Sequence, residues 1–336
     1  MRAVIYNQPL SIDHPEALLD AELPDPTIRP ADLLVRVEAV SVNPVDVKIR
    51  RRVTPDGQRV LGWDAVGIVE AVGAAARGFE VGERVWYAGA IDRPGSNAEL
   101  QAVDARLVAR APSSLSAEEA AALPLTSITA WEILFERFRL PVGKAATGDV
   151  LLVSGAAGGV GSILVQLAST LTAATVIATA GRPESVEWAR RMGAHHVVDY
   201  RKPLAPQIEA LGVGAVTHVA SLTHTDSYLA QFTELLAPFG HLALIDDPPS
   251  LDIVPLKRRS LSVHWELMFT RSLYQTDDMG AQGALLAEVA ALVDAGLIRT
   301  TLTQDLGPID AEHLKQAHAL LESGKSRGKT VLVGFG

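Results

Sequence analysis

Val150-Leu151-Leu152-Val153-Ser154-Gly155-Ala156-Ala157-Gly158-Gly159-Val160-Gly161 is the stretch whose reading decides the fold. Four unbroken apolar residues make a strand buried on both faces, a run of small residues makes a sharp turn, and an apolar helix opens at Gly159. Ala156, Gly158 and Gly161 stand at the spacing of a dinucleotide fingerprint, with alanine where the first glycine usually lies. The chemistry explains the residue types. Small side chains let the main chain approach a pyrophosphate, whose charge meets the N–H groups and positive dipole end of the helix. Tight turns of other kinds also use glycine, so the flanking strand and helix carry the reading.

Downstream, strands are expected at 175–180, 196–199, 215–221 and 241–245. Helices are expected between them at 184–192, 204–211 and 225–236. This alternation predicts a doubly wound parallel sheet covered by helices on both faces, with a last apolar strand, Leu261–Phe269, at its edge. An NAD site normally has a carboxylate at the end of the second strand. Here that strand ends Thr179-Ala180-Gly181-Arg182. The next acid, Glu184, follows Pro183 in the first turn of a helix, where the dipole accounts for it. Arg182 offers a cationic fork suited to a 2′-phosphate, and Tyr200 a hydroxyl, so NADPH is the expected cofactor. A solvated surface arginine is the other reading of Arg182. Ala156, Gly158, Gly159, Val160, Gly161, Arg182 and Tyr200 are the expected cofactor contacts. Ser221 and Ile245 join them from the ends of the fourth and fifth strands, where such sheets bind ligands.

Upstream, Leu33, Val35, Val37 and Ala39 alternate with Leu34, Arg36 and Glu38. Short apolar runs separated by Gly, Pro and Asp turns continue to about residue 120, which suggests a compact barrel-like β-domain. Ser116 and Glu119 form a capping box, and Thr126 to Phe138 reads as helix. After 269 come two amphipathic helices, around Leu285–Val293 and Leu314–Leu321, and a strand at Lys329–Val333. The expected division is a β-domain of 1–123 with 270–336, and a cofactor domain of 124–269 inserted between.

The totals exclude several classes. A chain of 336 residues is long enough for two domains. A net charge of −9 argues against nucleic acid or an anionic membrane as partner. No apolar run approaches the ~20 residues of a membrane helix, and Met1–Gln8 lacks the apolar core of a secretory signal, so the cytoplasm is the expected location. The absence of cysteine removes disulfides, thiolate metal sites and cysteine nucleophiles.

Several landmarks now converge. They are Val42-Asn43-Pro44-Val45-Asp46, Leu61-Gly62-Trp63-Asp64-Ala65-Val66-Gly67, Val81-Gly82-Glu83-Arg84-Val85, Pro124 through Trp131, the glycine turn, and Gly328-Lys329-Thr330-Val331-Leu332. With these the whole chain resembles the medium-chain dehydrogenase/reductase superfamily, in particular its zinc-independent quinone oxidoreductase branch and a bacterial group termed zinc-type alcohol dehydrogenase-like. The resemblance implies a GroES-like β-barrel catalytic domain with an inserted Rossmann domain. Zinc-dependent relatives carry cysteine where this chain has Asn43 and histidine where it has Trp63, so no metal is expected.

By the same resemblance, Asn43 and Asp46 line the cleft beside the nicotinamide, with Asn43 a candidate donor to the acceptor oxygen. Turn formation is an equal reading of both. Tyr87 is a candidate proton donor or a wall of the site. Thr129, Phe269, Arg271 and Lys329 are candidates near the cofactor, although Thr129 also reads as a helix threonine bonded to the preceding turn. Arg50-Arg51-Arg52 reads as a solvated loop. The implied activity is NADPH-dependent hydride delivery to a quinone or a conjugated enone or enal. An enoyl-thioester reductase, and an NADPH-binding sensor or structural protein, are the alternatives. Pairing of the edge strand makes a homodimer the expected assembly.

Overall fold

Alternating burial along β3 (Asp32–Ser41) reproduces the period-two pattern of its sequence. Around it lie β1 (Arg2–Tyr6), β2 (Leu19–Glu22), β4 (Arg59–Val60), β5 (Asp64–Val72), β6 (Arg84–Tyr87), β7 (Leu100–Asp104) and β8 (Val108–Arg110). The first helices are α1 (Pro44–Arg52), α2 (Ala117–Ala121) and α3 (Pro124–Trp131). The computed structural model describes residues 1–145 and 148–336. It divides into two compact units, Met1–Ile128 with Phe269–Gly336, and Thr129–Met268. The first boundary falls inside α3 instead of at its start, because the helix runs without a break across it and continues as a wider π-type turn over Glu132–Arg137.

The inserted unit is the doubly wound sheet that the alternation predicts. Its elements are β9 (Val150–Ser154), α4 (Gly159–Leu171), β10 (Thr175–Thr179), α5 (Pro183–Arg191), β11 (His196–Val198), α6 (Leu204–Glu209), β12 (Val216–Ser221), α7 (Thr225–Leu235), β13 (Leu236–Leu244) and β14 (Ser262–Trp265). The strands lie parallel in the order β11-β10-β9-β12-β13-β14. β9 is buried along its whole length, as a central parallel strand must be. The edge strand is shorter than its apolar stretch suggested. The N–H of Glu266 still reaches Leu244 O, after which the chain turns and Phe269 precedes a helix of the other unit.

That helix, α8 (Thr270–Tyr274), is followed by α9 (Ala281–Asp294), β15 (Leu302–Asp305), α10 (Ala311–Glu322) and β16 (Lys329–Val333). The tail thus completes the first unit: β16 pairs with β3 in a seven-stranded sheet ordered β15-β16-β3-β5-β6-β8, with β7 also on β3. A three-stranded sheet, β2-β1-β4, completes the β-rich part. The expectation of a solvated loop at Arg50-Arg51-Arg52 holds for the exposure of Arg51 and Arg52 and is corrected for Arg50 and for the loop. These residues end α1, and Arg50 is fully buried, bonded to Leu10 O, Glu322 and His318 Nδ1. Among the described residues no helix is long and apolar enough to cross a membrane.

Candidate active site and cofactor-binding residues

In the inserted unit, β9 runs straight into the glycine turn. Gly155 takes the left-handed conformation (φ 73°), so the sharp bend falls one residue before Ala156, which is buried. Gly158 caps α4, and Gly159 and Val160 open its first turn, where N–H groups have no intrahelical partner. Gly161 is glycine for packing: a Cβ there would lie 2.4 Å from Gly155 O. Gly158 is different. Its φ of −76° suits any residue, and a Cβ would meet only Gly155 O, at 3.4 Å. Neither backbone nor neighbours require glycine at 158, which leaves room for a ligand against the helix N-terminus. Strand order reverses between β9 and β12, so this turn flanks the switch point of the sheet.

The neighbouring strand ends are ordered by hydrogen bonds. Ser221 Oγ lies 2.7 Å from Thr225 Oγ1, which donates to Asp246 Oδ1 at 2.5 Å, while Thr225 N donates to Asp246 Oδ2 at 2.8 Å. Ile245, just past β13, is half-buried. Beyond β10, Arg182 caps α5, half-exposed, with Nε 3.4 Å from Glu184 Oε1. Tyr200 lies against Gly181, where a Cβ would fall 2.9 Å from its ring. Asp199, the carboxylate after the third strand, is taken by Arg201 at 2.8 Å, and that hydrogen bond holds its carboxyl down at about 2. Arg201 therefore adds a second guanidinium to this corner, one that sequence reasoning passed over. Thr129 is buried on α3.

The other unit holds a buried polar cluster centred on Asp64, the first residue of β5. Asp64 Oδ2 accepts from Ser41 Oγ (2.7 Å), Asn43 Nδ2 (2.7 Å) and Lys329 Nζ (3.2 Å), and Oδ1 accepts from Leu125 N (2.7 Å). Lys329 also donates to Val42 O at 2.9 Å and Asn43 Oδ1 at 2.5 Å. Asn43 is the N-cap of α1, and its N–H donates to Asp46 Oδ2 at 2.7 Å. Asn43 and Asp46 thus shape a helix start and are buried together with Lys329. Burial pushes the Asp46 carboxyl up to about 7, against the Asn43 hydrogen bond and the attraction of Lys329, while Asp64 adds repulsion. Burial pushes the Lys329 ammonium down, and Asp64 opposes that.

Trp63, Tyr87 and Phe269 of this unit are also buried. Trp63 donates through Nε1 to Ala90 O at 3.0 Å and meets Phe269 edge to face, centroids 5.9 Å apart. Among the described residues the Tyr87 hydroxyl has no hydrogen-bond partner, and burial raises its pKa, so it stays neutral. Sequence reasoning missed Asp64 and Ser41. Asp64 stood in a quoted landmark but was read only as the neighbour of Trp63. The expectation that the Asn43 amide is open to an acceptor is corrected: Nδ2 is directed at Asp64 and, at 3.4 Å, Ser41 O. Arg271 pairs with Asp278 at 3.0 Å.

A family profile described as zinc-binding dehydrogenase matches residues 192–332, and one described as alcohol dehydrogenase GroES-like domain matches residues 29–113. The zinc-type alcohol dehydrogenase-like protein SAS2087 of Staphylococcus aureus (strain MSSA476) is 37% identical over 334 residues, 99% of each chain. The 2-methylene-furan-3-one reductase of Solanum lycopersicum is 35% identical over 212 residues, 60% of this chain and 53% of its own. A candidate zinc-dependent alcohol dehydrogenase of Rhizobium etli CFN 42 has a crystal structure matching with TM-score 0.97 and 55% identity, over 100% of this chain and 98% of that one. Mycobacterial Rv1454c complexed with NADPH matches with TM-score 0.84 and 28% identity over 99% of both chains.

Proposed function

The chain belongs to the medium-chain dehydrogenase/reductase superfamily and is an NAD(P)H oxidoreductase of that type. From that premise we propose that it is an NADPH-dependent reductase of quinones or conjugated enones and enals that works without catalytic zinc. The observation that carries this reading is the Asp64–Asn43–Lys329 cluster, which already contains its own cation.

A zinc ion does not fit these residues. A catalytic zinc needs about three convergent N, O or S ligands and an open position. Asn43 and Trp63 replace the cysteine and histidine of metal-dependent relatives, and the Trp63 indole, a donor only, is bound to Ala90 O. Among the described residues no group of three or more His, Cys, Asp or Glu could hold a metal. Without a metal to stabilise an alkoxide, the favoured acceptor spreads incoming charge over its own conjugated oxygen.

The glycine turn fits a dinucleotide: Gly158 leaves the space, and the first turn of α4 supplies the N–H groups. Arg182, with Arg201 and Tyr200 beside it and no carboxylate at the end of β10, favours a 2′-phosphate over a free 2′-hydroxyl. When bound, the nicotinamide supplies the hydride. Asp46, with its carboxyl near neutrality, is the group of this chain suited to give the matching proton, and Tyr87 serves as a wall. The 2-methylene-furan-3-one reductase among the relatives, named for a conjugated ketone, agrees with this substrate class.

The test is direct. Protein freed of metal is mixed with NADPH and a panel of quinones, enones and enals, and loss of the nicotinamide absorbance is followed with and without a chelator. Turnover of at least one class, unchanged by chelator, is expected. Silence across the panel, or activity that only added zinc restores, overturns the proposal.

A further inference from the structure

We propose that Lys329 is the internal cation of the catalytic unit: it locks Asn43 and Asp64 in place and is a positioning residue for Asp46, not a ligand of the cofactor. This rests on the metal-free reading above and names the group that takes the metal's electrostatic place.

The ammonium has three N–H donors and no acceptor. Val42 O, Asn43 Oδ1 and Asp64 Oδ2 supply three acceptors, and the residue is 4% exposed. A cofactor phosphate would have to displace one of these buried partners. Asp64 shows the converse saturation: Ser41 Oγ, Asn43 Nδ2, Lys329 Nζ and Leu125 N are all donors, the set that an ionised carboxylate accepts. The pair of charges therefore closes on itself inside the unit.

Asn43 transmits the arrangement. Lys329 holds its Oδ1 and Asp64 holds its Nδ2, so the amide has one orientation, and the N–H of the same residue grips Asp46 Oδ2. Lys329 reaches this point from β16, 286 residues along the chain from Asn43. Its positive charge also favours the ionised form of Asp46, against the cost of burial and the repulsion of Asp64. Removing that charge should both loosen Asn43 and make Asp46 harder to ionise.

The experiment compares full-length wild type with Lys329→Met, Lys329→Arg, Asp46→Asn and the double variant Asp64→Asn/Lys329→Met. The carboxylic-acid infrared band is followed against pH, NADPH affinity is measured by fluorescence titration, and melting is followed by circular dichroism. We expect a buried carboxyl titration that Asp46→Asn abolishes, that Lys329→Met moves upward by about one pH unit, and that Lys329→Arg returns toward wild type. NADPH affinity should stay within about twofold in Lys329→Met, and the double variant should recover melting temperature lost by the single one. A loss of NADPH affinity of about tenfold with no movement of the Asp46 titration would identify a cofactor ligand and overturn the proposal. No change in any readout would overturn it equally. Should Lys329→Met fail to fold, the double variant decides: near wild-type NADPH affinity supports the assignment, and a tenfold loss defeats it. None of these readouts needs turnover, so a failure to reduce any quinone or enone strikes the proposed activity and leaves this assignment standing.

Discussion

Gly158 and Gly161 stand in one turn yet are glycine for different reasons. At 161 a Cβ would strike main-chain atoms that have nowhere to move, so Gly161→Ala should destabilise the inserted unit by about 1–3 kcal/mol, visible as a lower melting temperature. At 158 the fold tolerates a side chain and a ligand would not. Gly158→Val should melt near wild type while binding NADPH on the order of a hundredfold more weakly, and unchanged affinity would refute the pyrophosphate assignment. Arg182→Glu places a negative charge where a 2′-phosphate is expected and should weaken NADPH much more than NADH in the same fluorescence titration. Equal losses would undo the choice of cofactor. The glycines and Arg182 were legible because their pattern is contiguous. Asp64 was not, since a single aspartate after Trp63 has no spacing to mark it and gains meaning only from donors on β3, β16 and α3.

Two elements show how a local pattern is overridden by packing. The N-cap Asn43, Pro44 and Asp46 at the third helical position announce α1, yet the arginine run behind them reads as solvated. In the fold, α1 packs near α10, and Arg50 becomes the buried link to Glu322 and His318. Arg50→Ala should cost about 2–5 kcal/mol in a denaturant melt, since a fully buried side chain and its bonds to Leu10 O, His318 Nδ1 and Glu322 are lost together. On the sheet of the inserted unit, His218, His241 and His264 come from β12, β13 and β14 and stack, with centroids 5.0 Å and 5.3 Å apart. Burial lowers the His218 pKa to about 4; Asp149 opposes, and the other two histidines add repulsion. Its folded pKa lies below the unfolded value of about 6.5, so protons favour the unfolded chain. The stabilisation is complete above about pH 6.5 and is lost as pH falls toward 4, a change on the order of 3 kcal/mol. Thermal melts should show this slope, and His218→Gln should reduce it without abolishing it, because burial also lowers the pKa values of His195, His241, His264 and His318. A slope of undiminished size in that variant would remove His218 as a contributor.

For the whole molecule, the expected assembly rests on β14, which pairs with β13 on one side and carries exposed Trp265, with Leu267 just beyond it. Light scattering should report a homodimer that Trp265→Asp converts to a monomer, whereas a monomeric wild type would remove the edge-pairing argument. By itself the sequence determined the strand–turn–helix alternation, the insertion of one unit within another, and the lack of thiolate ligands and of an acid after the second strand. Each of these is written in neighbouring residues or in a count. The tertiary structure alone decided that Ser41, Asn43, Asp64, Leu125 and Lys329 share one buried site, and that Arg50 lies inside the fold. A buried charge is tolerated only where an opposite charge or hydrogen-bond partner meets it through space, and no local periodicity records where that partner will come from.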